Sequence, residues 1–150
     1  MSHTYASLHY HIVFSTKNRL PLINQSISPR LFDYIGGIIR NEGGVLHAAG
    51  GTADHVHLSS GLRQDKAVCD VIRDIKANST RWIHDTFPEL STFAWQEGYG
   101  AFSLSFTGLD KVKAYIANQE THHRTITFKE EFIDFLERHH IQYDERYIWL

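Results

Sequence analysis

Two imidazoles two residues apart, His55 and His57 in the run Asp54-His55-Val56-His57-Leu58, are of a type and spacing that can share a metal ion. Side chains at i and i+2 of a β-strand leave on the same face, so both rings can reach one ion while Val56 and Leu58 turn toward a core. The spacing alone does not single them out, because the chain has eleven histidines and His9-Tyr10-His11 repeats it. Further along, Tyr115 and Gln119 stand four residues apart, on one side of a helix and one turn from each other. A tyrosine hydroxyl, with a pKa of about 10 in isolation, is a poor nucleophile at neutral pH unless a cation or base assists it. A metal at the histidine pair would polarise a phosphate and neutralise developing charge, with the Gln119 amide oxygen a sensible third ligand. From periodicity alone Val112, Tyr115, Ile116 and Gln119 read first as an ordinary amphipathic stripe. His122, on the side of Tyr115, and His123 read as a solvated helix end.

The elements that must position these groups follow from the pattern. The segment 5–15 is rich in aromatic and β-branched residues and reads as a buried strand. Ser28-Pro29 reads as an N-cap with proline in the first turn, opening a helix whose apolar stripe is Leu31, Tyr34, Ile35, Ile38 and Ile39 and which Gly43-Gly44 stops. The segment 45–49 is a short strand, and 50–54 is the turn into an antiparallel strand over 55–62. A second helix is expected over about 66–84, with Val68, Val71, Ile72, Ile75, Ser79, Trp82 and Ile83 inward. Its other side carries Arg73, Lys76 and Arg81, which could touch phosphates or form a solvated charged face. The segment 93–105 reads as an aromatic strand or hairpin. Its aromatics are either core or a stacking surface for bases.

Strand, helix, strand, strand, helix, strand is the split βαβ order of an α+β, ferredoxin-like (RRM-like) fold. It predicts a four-stranded antiparallel sheet with both helices on one face and the other face available for function. A third helix, with Thr107 as N-cap, runs through Tyr115 and Gln119 to His122-His123. A fourth opens on the capping box Thr127-Phe128-Lys129-Glu130, and the tail 141–150 is apolar enough to dock.

Composition sets the bounds. With 42% hydrophobic and 21% charged residues, 150 residues form one soluble domain spanning 1–150. No apolar run approaches the roughly 20 residues of a membrane helix, and Met1-Ser2-His3-Thr4 lacks a signal-peptide pattern. A cytoplasmic protein without membrane association is expected. Cys69 is the only cysteine, which excludes an intrachain disulfide and a thiolate zinc cluster, and its neighbours Val68, Val71 and Ile72 place it in helix core. The net charge of −2 argues against the basic coat of a duplex-DNA binder. Up to Arg81, however, basic residues lead acidic ones by nine to six, and from Trp82 the acids lead by eleven to six. The first half can therefore carry a local basic surface.

Four segments in order carry a resemblance. Tyr10-His11-Ile12-Val13-Phe14 with Lys17 and Arg19, Asp54 to Leu58, the run from Trp95 to Ser103, and Tyr115-Ile116-Ala117-Asn118-Gln119 with His122-His123 resemble the small single-tyrosine transposases of bacterial insertion sequences. These are the IS200-like group within the HUH endonuclease superfamily, and the resemblance covers nearly the whole chain. It implies His55, His57 and Gln119 as ligands of Mg2+ or Mn2+, with manganese favoured by the two imidazoles. It implies Tyr115 as the nucleophile that attacks a single-stranded DNA phosphate, leaving a 5′-phosphotyrosine link and a free 3′-hydroxyl. It further implies a homodimer, with the tyrosine of one subunit able to serve the histidines of the other, imperfect DNA hairpins as partners, and Gly108 as a candidate hinge. Lys17, Arg19, Arg73, Lys76 and Arg81 are candidate DNA contacts, with Asp54, His11 and His122 behind the site. The competing readings are a related nicking enzyme, a domesticated copy acting on chromosomal repeats, a silent single-strand binder, and a plain metal hydrolase. The silent binder would need the aromatic and glycine signature of RRM strands.

Overall fold

A computed structural model describes residues 3–150. The leader expectation rests partly on Met1 and Ser2, which lie outside these residues. The elements are β1 (His9–Ser15), α1 (Ser28–Asn41), β2 (Val45–Thr52), β3 (His55–Gly61), α2 (Val68–Thr86) and β4 (Gly100–Leu104). After these come α3 (Leu109–Ala117), α4 (Gln119–His122) and α5 (Phe128–Arg138). The four strands form one antiparallel sheet in the order β2-β3-β1-β4, the ferredoxin-like arrangement.

Alternation along β1 and β3 decides what lies on each face. Ile12 pairs with Leu58 and Phe14 with Val56 on one face, against α1 and α2. There Leu31, Ile35, Ile39, Val71, Ile72, Ile75 and Ile83 close a core, and the indole of Trp95 donates to buried Ser79 Oγ at 2.9 Å. The other face carries His11, Val13, His55, His57 and Ser59. It is not open as expected: Phe128, Phe132, Phe135 and Leu136 of α5 pack on Val13 and Phe102, and Tyr115, Tyr143, Ile148 and Trp149 join them. Apolar positions between the histidines make that face a docking surface for an amphipathic helix.

Several expected boundaries move. The segment 50–52 is not a turn but the end of β2, paired through Thr52 with His55, so the turn is Ala53-Asp54 alone. The glycines serve close approach: a Cβ on Gly50 would lie 2.6 Å from the Ile116 carbonyl oxygen, so glycine lets α3 rest on the sheet edge. Ser28 does not cap α1, which it opens; Asn24 Oδ1 instead accepts from the Ser26 and Ile27 backbone N–H groups. Thr107 lies in a 3-10 turn over Phe106–Gly108, its hydroxyl beside that of Ser105, and does not cap α3. Of the segment 93–105 only Gly100–Leu104 is strand, with Trp95 making one bridge to Thr16. Phe93, Trp95 and Phe102 are core, not a stacking surface. Cys69 is exposed rather than core, since it falls off the 68-71-72-75 stripe of α2. Thr127 caps α5 as expected, its Oγ1 accepting from the Glu130 N–H. Among the described residues no helix is long and apolar enough to cross a membrane.

Candidate active site

His55 and His57 leave β3 on the covered face and are both fully buried. Asp54, in the two-residue turn, accepts from His55 Nδ1 at 2.7 Å and from Thr52 Oγ1 at 2.9 Å. Burial works against ionisation of Asp54, but these hydrogen bonds outweigh it and hold its carboxyl below the usual range. A carboxylate only accepts, so the His55 proton is fixed on Nδ1 and Nε2 points inward, the tautomer a metal ligand needs. His57 Nδ1 lies 2.8 Å from His11 Nε2 on β1. Burial lowers the His57 pKa to about 4 and that of His11 to about 3, so both are neutral rings at physiological pH.

The expected third helix is broken. It ends at Ala117, Asn118 leaves helical geometry (φ −99, ψ 15), and α4 restarts at Gln119. The break turns Gln119 into the protein, where it is 1% exposed and its Oε1 stands 3.0 Å from His55 Nε2. Tyr115, half-buried on α3, has its ring 5.8 Å from that of His57 and its hydroxyl 3.3 Å from His122 Nε2. His55, His57, Tyr115, Gln119, Asp54, His11 and His122 thus gather within one chain.

Two groups not selected from the sequence sit at the centre. Glu131 of α5 is 1% exposed. Its Oε1 lies 2.9 Å from His57 Nε2, 3.0 Å from His123 Nε2 and 3.6 Å from His55 Nε2, while its Oε2 accepts from the Tyr115 hydroxyl and, at 3.1 Å, from Gln119 Nε2. Burial alone would raise the Glu131 carboxyl, but hydrogen bonds from His123, His57 and Tyr115 hold it far below the usual range. His123, expected at a solvated helix end, donates from Nδ1 to the Ile126 carbonyl at 2.9 Å, and contact with Glu131 raises its pKa against the effect of burial. The Tyr115 phenol is pushed well above its ordinary pKa by burial and by the Glu131 carboxylate, so it rests protonated. A sequence signal for Glu131 did exist. It falls three residues after Phe128 and four before Phe135, inside the apolar stripe of α5, where an unpaired carboxylate is costly.

One ligand atom each from His55, His57, His123 and Glu131 all lie within 4.8 Å of one another, so this group can hold a metal ion. Two or three imidazoles with a carboxylate suit a divalent transition metal. An open cavity of about 560 Å3 borders the cluster, lined by Asp54, His123, Arg124, Thr127 and Phe128 among others.

The candidate DNA contacts do not join this site. Arg73, Lys76 and Arg81 lie on α2, across the sheet from the histidines. Lys76 Nζ is spent on the carbonyls of Gln96, Glu97 and Gly98 at 2.8, 3.2 and 2.6 Å, and burial lowers its pKa to about 8. Arg19 donates to the Trp149 carbonyl at 3.0 Å and covers that indole. Lys17 and Arg81 are exposed, as is Arg73, which pairs with Asp70 at 3.1 Å.

This ferredoxin-like sheet, with its buried histidine pair beside a tyrosine helix, is shared with a class of DNA-processing proteins that similarity to known sequences identifies. The chain belongs to the IS200-like transposase family, whose pattern, described as "Transposase IS200 like", matches residues 4–119. A Deinococcus radiodurans R1 protein described as a candidate transposase is 25% identical, with a TM-score of 0.66 over 79% of this chain and 95% of that one. A tyrosine transposase bound to a REP hairpin shares the fold at 17% identity, with a TM-score of 0.62 over 82% of this chain and 73% of that one. No curated protein matches. The matched span takes in Tyr115 and Gln119, whereas His122, His123 and Glu131 lie beyond it.

Proposed function

We propose that this chain, acting as one domain over 1–150, is a DNA transposase that cuts and rejoins single-stranded DNA through a covalent 5′-phosphotyrosine. The observation that carries this reading is the convergence of His57, Gln119 and the Tyr115 hydroxyl on the two oxygens of Glu131, with His55 Nε2 held against Gln119 Oε1. In the cleavage step the Tyr115 oxygen bonds to phosphorus and the bond from phosphorus to the 3′ oxygen breaks. On balance the phenolic proton passes to the released 3′ oxygen, and Glu131 Oε2, which accepts the hydrogen bond of the phenol, orients the nucleophile. Attack by another 3′-hydroxyl reverses the step and joins new ends. The ester bond is conserved throughout, so the reaction requires neither hydrolysis nor a nucleotide cofactor.

His55, His57 and Gln119 are the proposed ligands of Mg2+ or Mn2+. The ion would supply Lewis-acid stabilisation of the charge that develops on the phosphate. Asp54, His11 and His122 orient these groups through the contacts described above. The DNA partner we propose is an imperfect single-stranded hairpin, in keeping with the hairpin on the REP-associated relative of the same fold. The cavity beside Asp54 and His123, with Arg124 on its wall, offers an approach for the phosphate. Exposed Lys17, Arg73 and Arg81 remain candidate backbone contacts, whereas the internal bonds of Lys76 and Arg19 argue for structural roles. A homodimer is proposed as the working form, in the cytoplasm; exchange of tyrosine helices between subunits would release α3 at the Phe106–Gly108 turn and at Asn118. The covered sheet face weighs against a silent binder of RRM type, which needs an open aromatic face.

The test incubates the protein with Mn2+ and hairpin-bearing single strands, then looks for a covalent adduct on a denaturing gel. Tyr115→Phe is expected to abolish the adduct while DNA binding survives. An adduct that persists in this variant overturns the assignment.

A further inference from the structure

The buried centre holds more ligand atoms than the histidine pair and Gln119 account for, and their protons are already assigned. His55 Nδ1 donates to Asp54 and His123 Nδ1 to the Ile126 carbonyl, so a neutral ring at either position turns a lone pair inward on Nε2. Those lone pairs meet acceptors: Gln119 Oε1 at 3.0 Å from His55 Nε2, and Glu131 Oε1 at 3.0 Å from His123 Nε2. Such a set is balanced by an extra proton on each ring or by one cation shared among them. The spacing fits the cation. Metal–ligand bonds of about 2.0–2.1 Å at tetrahedral angles place ligand atoms about 3.4 Å apart; Glu131 Oε1 lies 2.9, 3.0 and 3.6 Å from the Nε2 atoms of His57, His123 and His55, and the four ligand atoms, all within 4.8 Å of one another, reach that spacing by small shifts of the rings.

We propose that His123 and Glu131, both beyond the family-matched span, are metal ligands together with His55 and His57. Three imidazoles and one carboxylate then select a transition-metal ion such as Mn2+ or Zn2+ over Mg2+. Glu131 has a second task, because its other oxygen holds Tyr115 and Gln119. One side chain of α5 therefore places both the ion and the nucleophile, and α5 is part of the site rather than only its cover. The inference rests on the metal-dependent reading above and refines its ligand set.

Calorimetric titration of the chelator-treated full chain with Mn2+, and separately with Mg2+, tests this without DNA or activity. Mn2+ is expected to bind the wild type at least about tenfold more tightly than Mg2+. Glu131→Gln, nearly isosteric, and His123→Ala are each expected to weaken Mn2+ binding by about tenfold or more, with circular dichroism confirming that both fold. Wild-type Mn2+ affinity in either variant, with His55→Ala defective, overturns the proposal and leaves the proposed function standing. Wild-type affinity in all three variants overturns both. Equal affinity for the two ions overturns the assignment of ion class. If Glu131→Gln does not fold, Glu131→Asp withdraws the carboxylate by one methylene; the same loss is expected, and unchanged affinity counts against the proposal.

Discussion

The two faces of the sheet are built from the same strands, and they spend their alternation differently. On one face Ile12, Phe14, Val56 and Leu58 are fully buried against α1 and α2 in an apolar core. On the other, residues from the same β1 and β3 are His11, Ser59, His57 and His55, also buried but polar. A buried imidazole is costly unless its nitrogens are paired. The covering helices therefore deliver partners as well as apolar mass: Gln119 from α4, and Glu131 among the phenylalanines of α5. The first face holds the fold together, and the second draws on that stability to keep a convergent polar cluster out of water.

The contrast can be broken first on the apolar side. Leu58→Ala removes a fully buried side chain of the α1/α2 core and is expected to cost about 2–5 kcal/mol, read as a lowered unfolding midpoint in urea. Mn2+ affinity of the folded protein should stay within about twofold. A large loss of metal affinity would mean that the faces are not separable.

A smaller effect is expected where α3 meets the sheet. Gly50→Ala sets a methyl against the Ile116 carbonyl oxygen, and overpacking of this kind costs about 1–3 kcal/mol. Because Tyr115 precedes Ile116 by one residue, adduct formation should fall more steeply than stability. Equal falls would show that the close approach serves stability alone.

The finest test lies inside the polar face. His11→Phe keeps an aromatic ring on β1 but removes the hydrogen bond at 2.8 Å to His57 Nδ1. Loss of such a supporting partner typically weakens metal affinity by about 10–100-fold, measured by Mn2+ titration, and the buried His57 Nδ1 left unpaired is expected to cost about 1–3 kcal/mol of stability, less than Leu58→Ala. Unchanged affinity would show that His57 is oriented without His11.

Much of this arrangement could be read along the chain. The order of periodic segments gave the ferredoxin-like sheet, and the His-x-His spacing on a strand put both rings on one face, because a side-chain period of two needs no tertiary information. The capping box at Thr127 marked the start of α5 for the same local reason. Less legible was what the second face would meet. Periodicity puts Tyr115 and Gln119 on one uninterrupted helix, and nothing in it announces the break at Asn118 that turns Gln119 inward. His9 and His11 looked like a rival pair, but register sends His11 to His57 and leaves His9 beside His47 at 3.1 Å.

The sequence by itself therefore determined the elements, their order and the face on which the histidines lie, all of which follow from local geometry and alternation. Only the tertiary structure decided that this face is covered, that the tyrosine reaches the histidines within one chain, and that Glu131, 74 residues beyond His57, stands between them. A charged residue in an apolar stripe announces that it needs partners, but packing alone says which ones it finds.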